Sequence, residues 1–465
     1  MIETLSEFYR FPDATLGQIR ISASSRDAGF FRFGPSLVCY GQCASGVSRS
    51  VEESRLYDAS LASRIEGNEI CLPFDPVQVI ENLRREQYME ALTPGRESFV
   101  AQEWVRKGYY FFRKILPVWL RRHLQRAYFS DWQHRPFPNW PVDFTVDTLH
   151  QEFLRLSMIA AGIQRIPFIW FWPEGATSSM IMTHDVETRA GRDFSSQLMD
   201  IDDSYGIKAS FQVIPEERYE VPAEYVEEIR KRGFEFNIHD LNHDGNLYRK
   251  REEFLRRASK INSYGRKYDA NGFRAGAMYR ALDWYDAYEF SYDMSLSSVA
   301  HLEPKRGGCC TVFPFFVGKI LELPLTTSQD YSVFHILGDY SIDLWKTQLD
   351  LIRQKNGLIS FIAHPDYLKN RRARTVYESL LDHLRQMVAR EKIWAALPGQ
   401  VDRWWRARSQ MRLRQAGNLW KVEGPEAERA RVAFAVVEDG RLVYEITGIS
   451  EDGSGPLKVP SASSE

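Results

Sequence analysis

Two histidines near the middle of the chain have a spacing suited to binding a metal ion. His239 and His243 are four residues apart, so in a helical turn both imidazoles would point to the same side. Asp185 and Glu187 are two residues apart, and in an extended strand their carboxylates would also share a side. Two imidazoles and one carboxylate suit Zn²⁺ and leave coordination positions open for water and substrate. One carboxylate could bind the metal while the other accepts a proton.

A centre of this kind would support the hydrolysis of an amide bond. A metal-bound water whose pKa is lowered to roughly 7 is a usable nucleophile at neutral pH. A carboxylate would take its proton, and His364, which comes from a separate predicted strand, could protonate the leaving amine. Arg274 could orient the carboxylate that serves as the base and keep the pKa of that carboxylate low.

The elements that must position these side chains form a regular series from about residue 176. Strands and helices alternate at the interval typical of parallel βα units, which predicts either an open doubly wound sheet or a barrel. In both architectures the chemistry lies at the carboxyl ends of the strands. Each polar cluster alone is typical of a turn or a helix cap, but five at one rim indicate a functional site. The five clusters follow predicted strands, at residues 183–187, 239–243, Arg274, Asp293 and 364–366.

Four of these segments resemble, in order, the motifs of the polysaccharide deacetylase family (NodB homology, carbohydrate esterase family four). The family's T-F-D-D-G motif corresponds to residues 183–187 and its H-S/T-x-x-H motif to residues 239–243. Its R-x-P motif falls on residues 274–276 and its late L/I-x-H motif on residues 362–364. The resemblance covers residues 175 to 400, and it implies an α/β fold that is a distorted, seven-stranded (β/α) barrel.

The resemblance also implies a role for each site residue. Asp185 would be the base, and Glu187 would be the metal ligand because Val186 stands where the family has its second Asp. The reverse assignment of the two carboxylates is the alternative. His239 and His243 would complete the ligand set, His364 would be the acid, and Arg274 would orient the base. The metal implied is Zn²⁺, with Ni²⁺ or Co²⁺ as alternatives.

Two other departures from the family motifs affect the loops of the site. Asp240 replaces the Ser or Thr of the second motif, and it can still accept hydrogen bonds from backbone N–H groups. Gly276 replaces the Pro of the third motif, which should loosen that loop. The third motif therefore predicts a less rigid wall beside the site than the family usually has.

These features predict a metal-dependent hydrolase that acts on carbon–nitrogen, non-peptide bonds and removes N-acetyl groups from a glycan or glycan precursor. The substitutions at Val186 and Gly276 favour a second hypothesis, a catalytically inactive barrel that binds or scaffolds a glycan. A third hypothesis keeps the metal site and assigns it to a small cyclic amide or ureide. An open, aromatic-lined cleft would favour a polymer, and a closed pocket a small molecule.

The rest of the chain divides by composition. Residues 1–95 predict a small, strand-rich α+β domain that closes with a helix, and residues 96–174 a helical basic and aromatic segment with a Pro-rich connector. The barrel would occupy residues 175–415, its last helix running from 398 to 415. Residues 416–465 predict a β-hairpin that turns at Asp439-Gly440, followed by a disordered tail.

The composition of the chain limits which classes of partner and which cellular compartment can be expected. Acidic and basic residues number 62 and 60, which gives no electrostatic reason to expect nucleic acid. The five cysteines are sparse and predict free thiols. With no apolar signal segment at the start and no run of roughly eighteen apolar residues, the sequence predicts a cytoplasmic protein. The basic, aromatic stretch at 104–126 would pack into the core or, alternatively, contact the inner membrane. No oligomeric state is predicted.

Overall fold

The structure is a computed structural model that describes most of the chain. The predicted basic, aromatic helices between residues 98 and 129, apart from Phe129 itself, lie outside the described residues, as does most of the predicted disordered tail. The described ranges are 2–12, 16–21, 27–51, 56–92, 129, 132–417, 419–446 and 457–459.

The N-terminal region combines short strands with short helices. Strands β1, β5 and β4 form one small sheet in that order, and β2 pairs with β3 as an antiparallel hairpin. Helix α2 begins with Pro76, and Asp75 caps it by accepting hydrogen bonds from the next two free backbone N–H groups. The elements are α1 (Ile2–Tyr9), β1 (Gln18–Ile21), β2 (Ala28–Phe33), β3 (Leu37–Gln42), β4 (Arg64–Glu66), β5 (Glu69–Leu72), α2 (Pro76–Arg84) and α3 (Met89–Leu92).

The Pro-rich connector leads into a buried helix that the sequence pattern did not predict. Helix α4 (Thr145–Ala160) starts where the Asp143 carboxylate accepts the backbone N–H of Thr145 at 2.8 Å. Its apolar residues recur at helical spacing, with Leu149 and Phe153 fully buried, and they lie against β3, β5, α1 and α2. Helix α4 therefore joins the N-terminal region to the rest of the core. Strand β6 (Arg165–Ile169) follows it.

The middle of the chain alternates strands and helices, as the pattern predicted. The segment at 282–287 forms a short 3-10 helix rather than an α-helix. The elements are β7 (Ser179–Val186), α5 (Arg189–Ser204), β8 (Ala209–Val213), α6 (Ala223–Lys231), β9 (Glu235–His239), α7 (Arg251–Lys267), β10 (Gly272–Arg274), β11 (Tyr292–Asp293), β12 (Phe315–Val317), β13 (Ile320–Glu322), α8 (Asp343–Gln354), β14 (Leu358–Ala363), α9 (Pro365–Leu368), α10 (Arg371–Glu391), β15 (Trp394–Ala396) and α11 (Pro398–Gln410).

The central strands form one curved sheet. Within the described residues, the seven strands β13, β11, β10, β9, β8, β7 and β14 are parallel neighbours in that order; β12 adds an antiparallel edge, and the short β15 also pairs with β7. All eight residues of β7 are buried, as expected for a parallel strand that is covered on both faces. Between β13 and β14 the hydroxyls of Thr326 and Thr327 donate to the β14 carbonyls of Leu358 and Ser360, both at 2.8 Å. The predicted distorted (β/α) barrel is confirmed.

The C-terminal residues add two hairpins. The predicted turn at Asp439-Gly440 is confirmed, and both residues have positive φ, 49° and 76°, as a type I′ turn requires. Strand β18 (Val432–Glu438) also pairs with β6, so this sheet joins chain segments from before and after the barrel. Helix α11 ends at Gln410 rather than at 415, because the next residues form a strand. The strands are β16 (Arg412–Ala416), β17 (Leu419–Glu423), β18 (Val432–Glu438), β19 (Arg441–Ile446) and β20 (Leu457–Val459).

One hydrophobic core connects these parts of the molecule. A single cluster of buried apolar side chains extends from Leu5 in α1 to Ile446 in β19. All five cysteines are buried free thiols, which confirms the sequence prediction. No helix in the described part of the chain combines the length and the apolar character that crossing a bilayer requires.

Candidate active site

The first motif lies at the carboxyl end of β7. Asp185 is the last but one residue of this strand, and Glu187 follows its end. Val186, between them, is fully buried, so the alternation of the strand turns both carboxylates away from the valine and to one side. Both reach the same imidazole: His239 Nε2 lies 3.8 Å from Asp185 Oδ2 and 4.0 Å from Glu187 Oε1.

The second motif supplies both histidines, but not from a helical turn. His239 ends β9, and its Nδ1 lies 3.1 Å from the Arg274 carbonyl, which accepts the Nδ1 proton and leaves Nε2 as a lone-pair donor. The residues after it form a loop in which Asp240 and His243 have φ of 57° and 54°. The expectation of a helical turn was therefore wrong. Two residues in the left-handed region, rather than helical periodicity, bring His243 back beside His239.

A clamp from the neighbouring loop holds this histidine loop in place. Arg218, after β8, donates to the Asn242 carbonyl at 3.0 Å and to the His243 carbonyl at 2.6 Å. These charge-assisted bonds satisfy the carbonyls of a loop that has no helical hydrogen bonds of its own.

The donor atoms of Glu187, His239 and His243 fit a divalent cation. One ligand atom from each residue lies within 4.8 Å of the other two, and Glu187 Oε1 is 2.9 Å from His243 Nε2. The Nε2 atoms of His239 and His243 are buried without a hydrogen bond of good geometry, although an oxygen lies near each. Buried polar atoms are rarely left without a partner, and two imidazoles with one carboxylate are ligands that Zn²⁺ prefers. These residues are therefore a candidate metal centre.

Asp185 is held on one side of this centre by Arg274. The Arg274 guanidinium is fully buried and donates to Asp185 Oδ1 at 2.6 Å and to the Thr183 hydroxyl at 2.8 Å. Burial alone would raise the pKa of the Asp185 carboxyl, but the charges of Arg274, His239 and His364 outweigh it and hold this pKa below its usual value. Asp185 is thus ionised and oriented, as a proton acceptor must be.

His364 also borders the centre, directly after the end of β14. Its Nε2 is 3.6 Å from Glu187 Oε1, and its Nδ1 is 2.6 Å from Asp330 Oδ1. The other oxygen of Asp330 accepts the His364 backbone N–H at 2.7 Å. Burial lowers the pKa of His364, but Asp330 and then Glu187 outweigh burial, so this pKa lies well above its usual value.

Asp330 is a site residue that the sequence pattern did not predict. It follows β13 within T-T-S-Q-D-Y, so it is one more acidic residue after a predicted strand. That position was the signal that could have found it, because the rim of the sheet collects such residues. Its bidentate contact with His364 fixes the orientation of the ring, so that Nε2 faces Glu187.

Asp293, another of the predicted polar clusters, does not join the metal ligands. Its carboxylate accepts the Tyr285 hydroxyl at 2.8 Å and the Ser295 backbone N–H at 2.9 Å. It faces Glu322, its partner on the neighbouring strand β13. Asp293 is the last residue of β11 rather than a residue after it, and its carboxylate belongs to a separate buried cluster.

Gly276 lies tightly against the histidine loop that follows β9. A Cβ at this position would be 2.5 Å from Asp240 Oδ2 and 3.0 Å from His243 Cδ2. The expectation that Gly276 loosens this loop was wrong. Because Gly276 has no side chain, its loop can pack directly against the loop that carries Asp240 and His243. The two departures from the family motifs, Asp240 and Gly276, are thus in direct contact with each other.

Together these features define a class of protein: a parallel βα barrel with a candidate metal centre at the carboxyl ends of its strands. Similar solved structures include a candidate polysaccharide deacetylase from Mycobacterium smegmatis, 18% identical, over 53% of this chain and 97% of the other, with a TM-score of 0.41. The peptidoglycan deacetylase PdaC from Bacillus subtilis is 14% identical, over 51% of this chain and 95% of the other, with a TM-score of 0.33.

Puue allantoinase is 12% identical, over 51% of this chain and 92% of the other, with a TM-score of 0.39. No protein-family model matches the sequence, and the comparison with curated proteins finds no similar sequence. The predicted resemblance to polysaccharide deacetylases is confirmed, at low identity and over about half of the chain.

Proposed function

We propose that this protein is a metal-dependent hydrolase that removes N-acetyl groups from a glycan or a glycan precursor. One observation carries the proposal: the Glu187, His239 and His243 group is bordered by two oriented polar side chains. Asp185, held by Arg274, lies 3.8 Å from His239 Nε2, and His364, held by Asp330, lies 3.6 Å from Glu187 Oε1. Amide hydrolysis needs a base for the attacking water and an acid for the leaving nitrogen, and this arrangement provides both.

Each residue of the site has a separate role in the proposed hydrolysis. A divalent cation held by Glu187, His239 and His243 would lower the pKa of a water molecule and polarise the acyl carbonyl. Asp185 accepts a proton from the attacking water, whose oxygen bonds to the carbonyl carbon. His364 donates a proton to the nitrogen as the C–N bond breaks, so that acetate and a free amine leave.

Arg274 and Asp330 act through these two residues. Arg274 keeps Asp185 ionised and directed at the water. Asp330 holds the His364 ring so that the proton on Nε2 faces the centre. The expected cation is Zn²⁺, and Ni²⁺ and Co²⁺ have compatible ligand preferences.

Metal content together with acetate release tests the proposal. We expect the purified protein to bind about one Zn²⁺, Ni²⁺ or Co²⁺ per chain and to release acetate from members of a panel of N-acetylated glycans. His239→Ala should lose both properties, whereas His383→Ala, which removes a histidine on the outer helix α10, should lose neither.

Three outcomes would overturn the proposed deacetylase function. Full metal content in His239→Ala would mean that the ligands are wrong. A wild-type protein that neither holds nor takes up a divalent metal would favour the inactive glycan-binding barrel. Ring opening of small cyclic amides or ureides to the corresponding acids, without acetate from any glycan, would favour the small-molecule amidohydrolase.

The substrate class that we propose is a lipid-linked or nucleotide-linked glycan precursor in the cytoplasm. Basic and aromatic residues at 104–126 suit an anionic membrane surface. Described residues on both sides of this stretch contact one loop: Phe129 packs against Leu302, and the Tyr88 hydroxyl donates to the Gly308 carbonyl at 2.6 Å. In the same loop Glu303 accepts a hydrogen bond from Gln329, the neighbour of Asp330, so the loop borders the site.

Sedimentation with anionic liposomes at low salt tests the membrane contact. We expect the protein to pellet with vesicles that contain an anionic lipid and to be released as the salt concentration rises. Absence of binding at low salt would favour the alternative, in which these side chains pack into the core.

A further inference from the structure

A buried ion pair connects the N-terminal region to the barrel. Glu86, in the turn between α2 and α3, has only 5% of its side chain exposed, and the Arg280 side chain is fully buried. Arg280 donates from Nε to Glu86 Oε2 at 2.9 Å and from Nη2 to Glu86 Oε1, which makes the pair bidentate. Glu86 has a φ of 58°, an uncommon conformation for a residue with a side chain. Bidentate pairs of this kind fix geometry as well as charge.

Arg280 ends the loop that follows the third motif. The loop starts at Arg274, which orients the base, and Gly276 then lies against the His243 ring. Ala277 and Met278 both have a φ of 54°, so this stretch is strained and needs outside contacts to keep its shape. Arg280 Nη1 donates to the Met278 carbonyl at 2.7 Å and supplies one of these contacts.

The same loop also reaches the strand that carries the acid. The Met278 side chain packs with Leu325 and Ile362, and Ile362 is two residues before His364 on β14. A displacement of Met278 would therefore shift both the backbone that contacts the His243 ring and the end of the strand that positions His364.

Glu86 holds a second loop as well. The Gly308 backbone N–H donates to Glu86 Oε1 at 2.7 Å, and the Tyr88 hydroxyl donates to the Gly308 carbonyl. A Cβ at Gly307 would be 2.5 Å from Glu86 Oε1, so this backbone approaches the carboxylate closely. One buried carboxylate from the N-terminal region thus joins two loops at the rim of the barrel.

We infer that Glu86 is a positioning residue of the hydrolase site, and that the N-terminal region completes the site rather than forming an independent module. This inference rests on the proposed function. The region presents Glu86 to Arg280, Arg280 keeps the strained 275–280 loop in shape, and that loop keeps His243 and His364 in register. The N-terminal region has no catalytic motif of its own, and in this inference it contributes by positioning the residues of the site.

Metal affinity and hydrogen exchange in Glu86→Gln test the inference. We expect this variant to bind Zn²⁺ about tenfold more weakly in competition with a chromophoric chelator, the size of effect typical of groups that orient metal ligands. Exchange of the amides at 275–280 should become faster, and kcat for acetate release should fall. Glu81→Gln removes a carboxylate from α2 that is 46% exposed, so it is the matched control and should change none of the three.

A double variant separates positioning from stability. Glu86→Gln alone leaves Arg280 as an unpaired buried charge, so it also destabilises the fold. Replacing both residues by methionine removes that charge and should restore the unfolding midpoint. If Glu86 positions the site, metal affinity and kcat stay low in the double variant. If the role of Glu86 is only structural, metal affinity and kcat both recover together with the unfolding midpoint, and the inference is wrong.

The outcomes also distinguish this inference from the proposed function. A wild-type protein without metal binding would overturn the proposed function, whereas unchanged metal affinity in Glu86→Gln beside a metal-binding wild type would overturn the inference alone. If the charge variants do not fold, Tyr88→Phe decides, because it loosens the Gly308 backbone that Glu86 also holds and removes only the contacts of the hydroxyl with the Gly308 carbonyl and the Cys310 thiol. Faster exchange at 275–280 with weaker Zn²⁺ binding supports the inference, and wild-type values of both contradict it.

Discussion

Two carboxylates only one residue apart have different surroundings in this site. Asp185 is bonded to a buried arginine, whereas Glu187 Oε1 faces the Nε2 atoms of three histidines, at 2.9 Å from His243, 3.6 Å from His364 and 4.0 Å from His239. An oxygen that faces the lone pairs of two imidazoles, those of His239 and His243, suits a metal ligand, and an oxygen bonded to a guanidinium suits a base. The two roles should separate in a pair of isosteric substitutions.

Asp185→Asn should abolish turnover and keep the metal. Without a proton acceptor we expect kcat to fall by about 10²- to 10⁴-fold while Zn²⁺ affinity stays within a few fold. Glu187→Gln should instead weaken Zn²⁺ binding by at least about 100-fold, because it removes a ligand rather than a group that orients one. Chelator competition and acetate release measure the two effects. The opposite pattern would exchange the roles of the two carboxylates.

For single residues, the sequence allowed a better prediction of which side chains form the site than of the backbone geometry that brings them together. The spacing of His239 and His243 identified both candidate ligands, but their convergence depends on two left-handed residues, which a spacing pattern does not report. Asp330 was missed although it too follows a strand, because its partner His364 is distant in sequence and only the fold brings them together. The pair of Glu86 and Arg280 is beyond sequence patterns for the same reason.

Among the elements, the loop after β10 depends on one missing side chain. Gly276→Ala would place a Cβ within 2.5 Å of Asp240 Oδ2, so we expect it to lower the free energy of unfolding by about 1–3 kcal/mol, the usual cost of overpacking. Gly191→Ala is the control, since its Cβ would meet the nearest atoms at 3.4 Å or more, and in helix α5 it should be neutral or stabilise by up to about 1 kcal/mol. Urea unfolding measures both, and equal values would show that the loop has room.

The neighbouring strands β11 and β13 should make stability depend on pH. Asp293 and Glu322 face each other in the interior; burial, and for Glu322 also the Asp293 charge, raise both pKa values. A carboxyl whose pKa is raised by folding stabilises the native state below the pKa of the unfolded chain, roughly 4, and this contribution is lost as the pH rises through the folded-state value. The protein should therefore lose stability as the pH rises above the ordinary carboxyl range.

Glu322→Gln tests this dependence. An amide stays neutral and can donate to Asp293, so the unfolding midpoint in urea should change less between about pH 5 and pH 9 than in the wild type. Glu227→Gln, at an exposed carboxylate on α6, should keep the wild-type curve. Parallel curves for wild type and Glu322→Gln would show that the pair does not control the dependence.

The order of the barrel elements could be predicted, whereas helix α4 could not. Buried parallel strands read as short apolar runs between helical segments, and that pattern survives without any tertiary information. Helix α4 carries His150, Gln151 and Arg155 between its apolar residues and follows a Pro-rich stretch, so its helical signal is weak. Its burial comes from neighbours on several elements, which only the folded chain supplies.

At the scale of the whole molecule, the N-terminal helix should unfold together with the barrel. Phe8 stacks on His150 with ring centroids 4.3 Å apart, and Arg408 of α11 donates to the Phe8 carbonyl at 2.9 Å. Phe8→Ala should therefore lower the free energy of unfolding by about 3–5 kcal/mol, in a single transition. Leu419→Ala, at a side chain that is 75% exposed, should change it by less than about 0.5 kcal/mol. An early, separate transition in Phe8→Ala would instead indicate an independent N-terminal module.

The pairing of β6 with β18 has a consequence for how the chain is made. Strand β6 leaves the ribosome before the first barrel strand, but its partner β18 is synthesised only after the whole barrel. During translation the apolar edge formed by Ile166, Phe168 and Ile169 has no native neighbour, while every strand of the barrel already has one. Such an edge can pair with other chains, so the time between synthesis of the barrel and synthesis of the β18–β19 hairpin is when this protein most needs a chaperone.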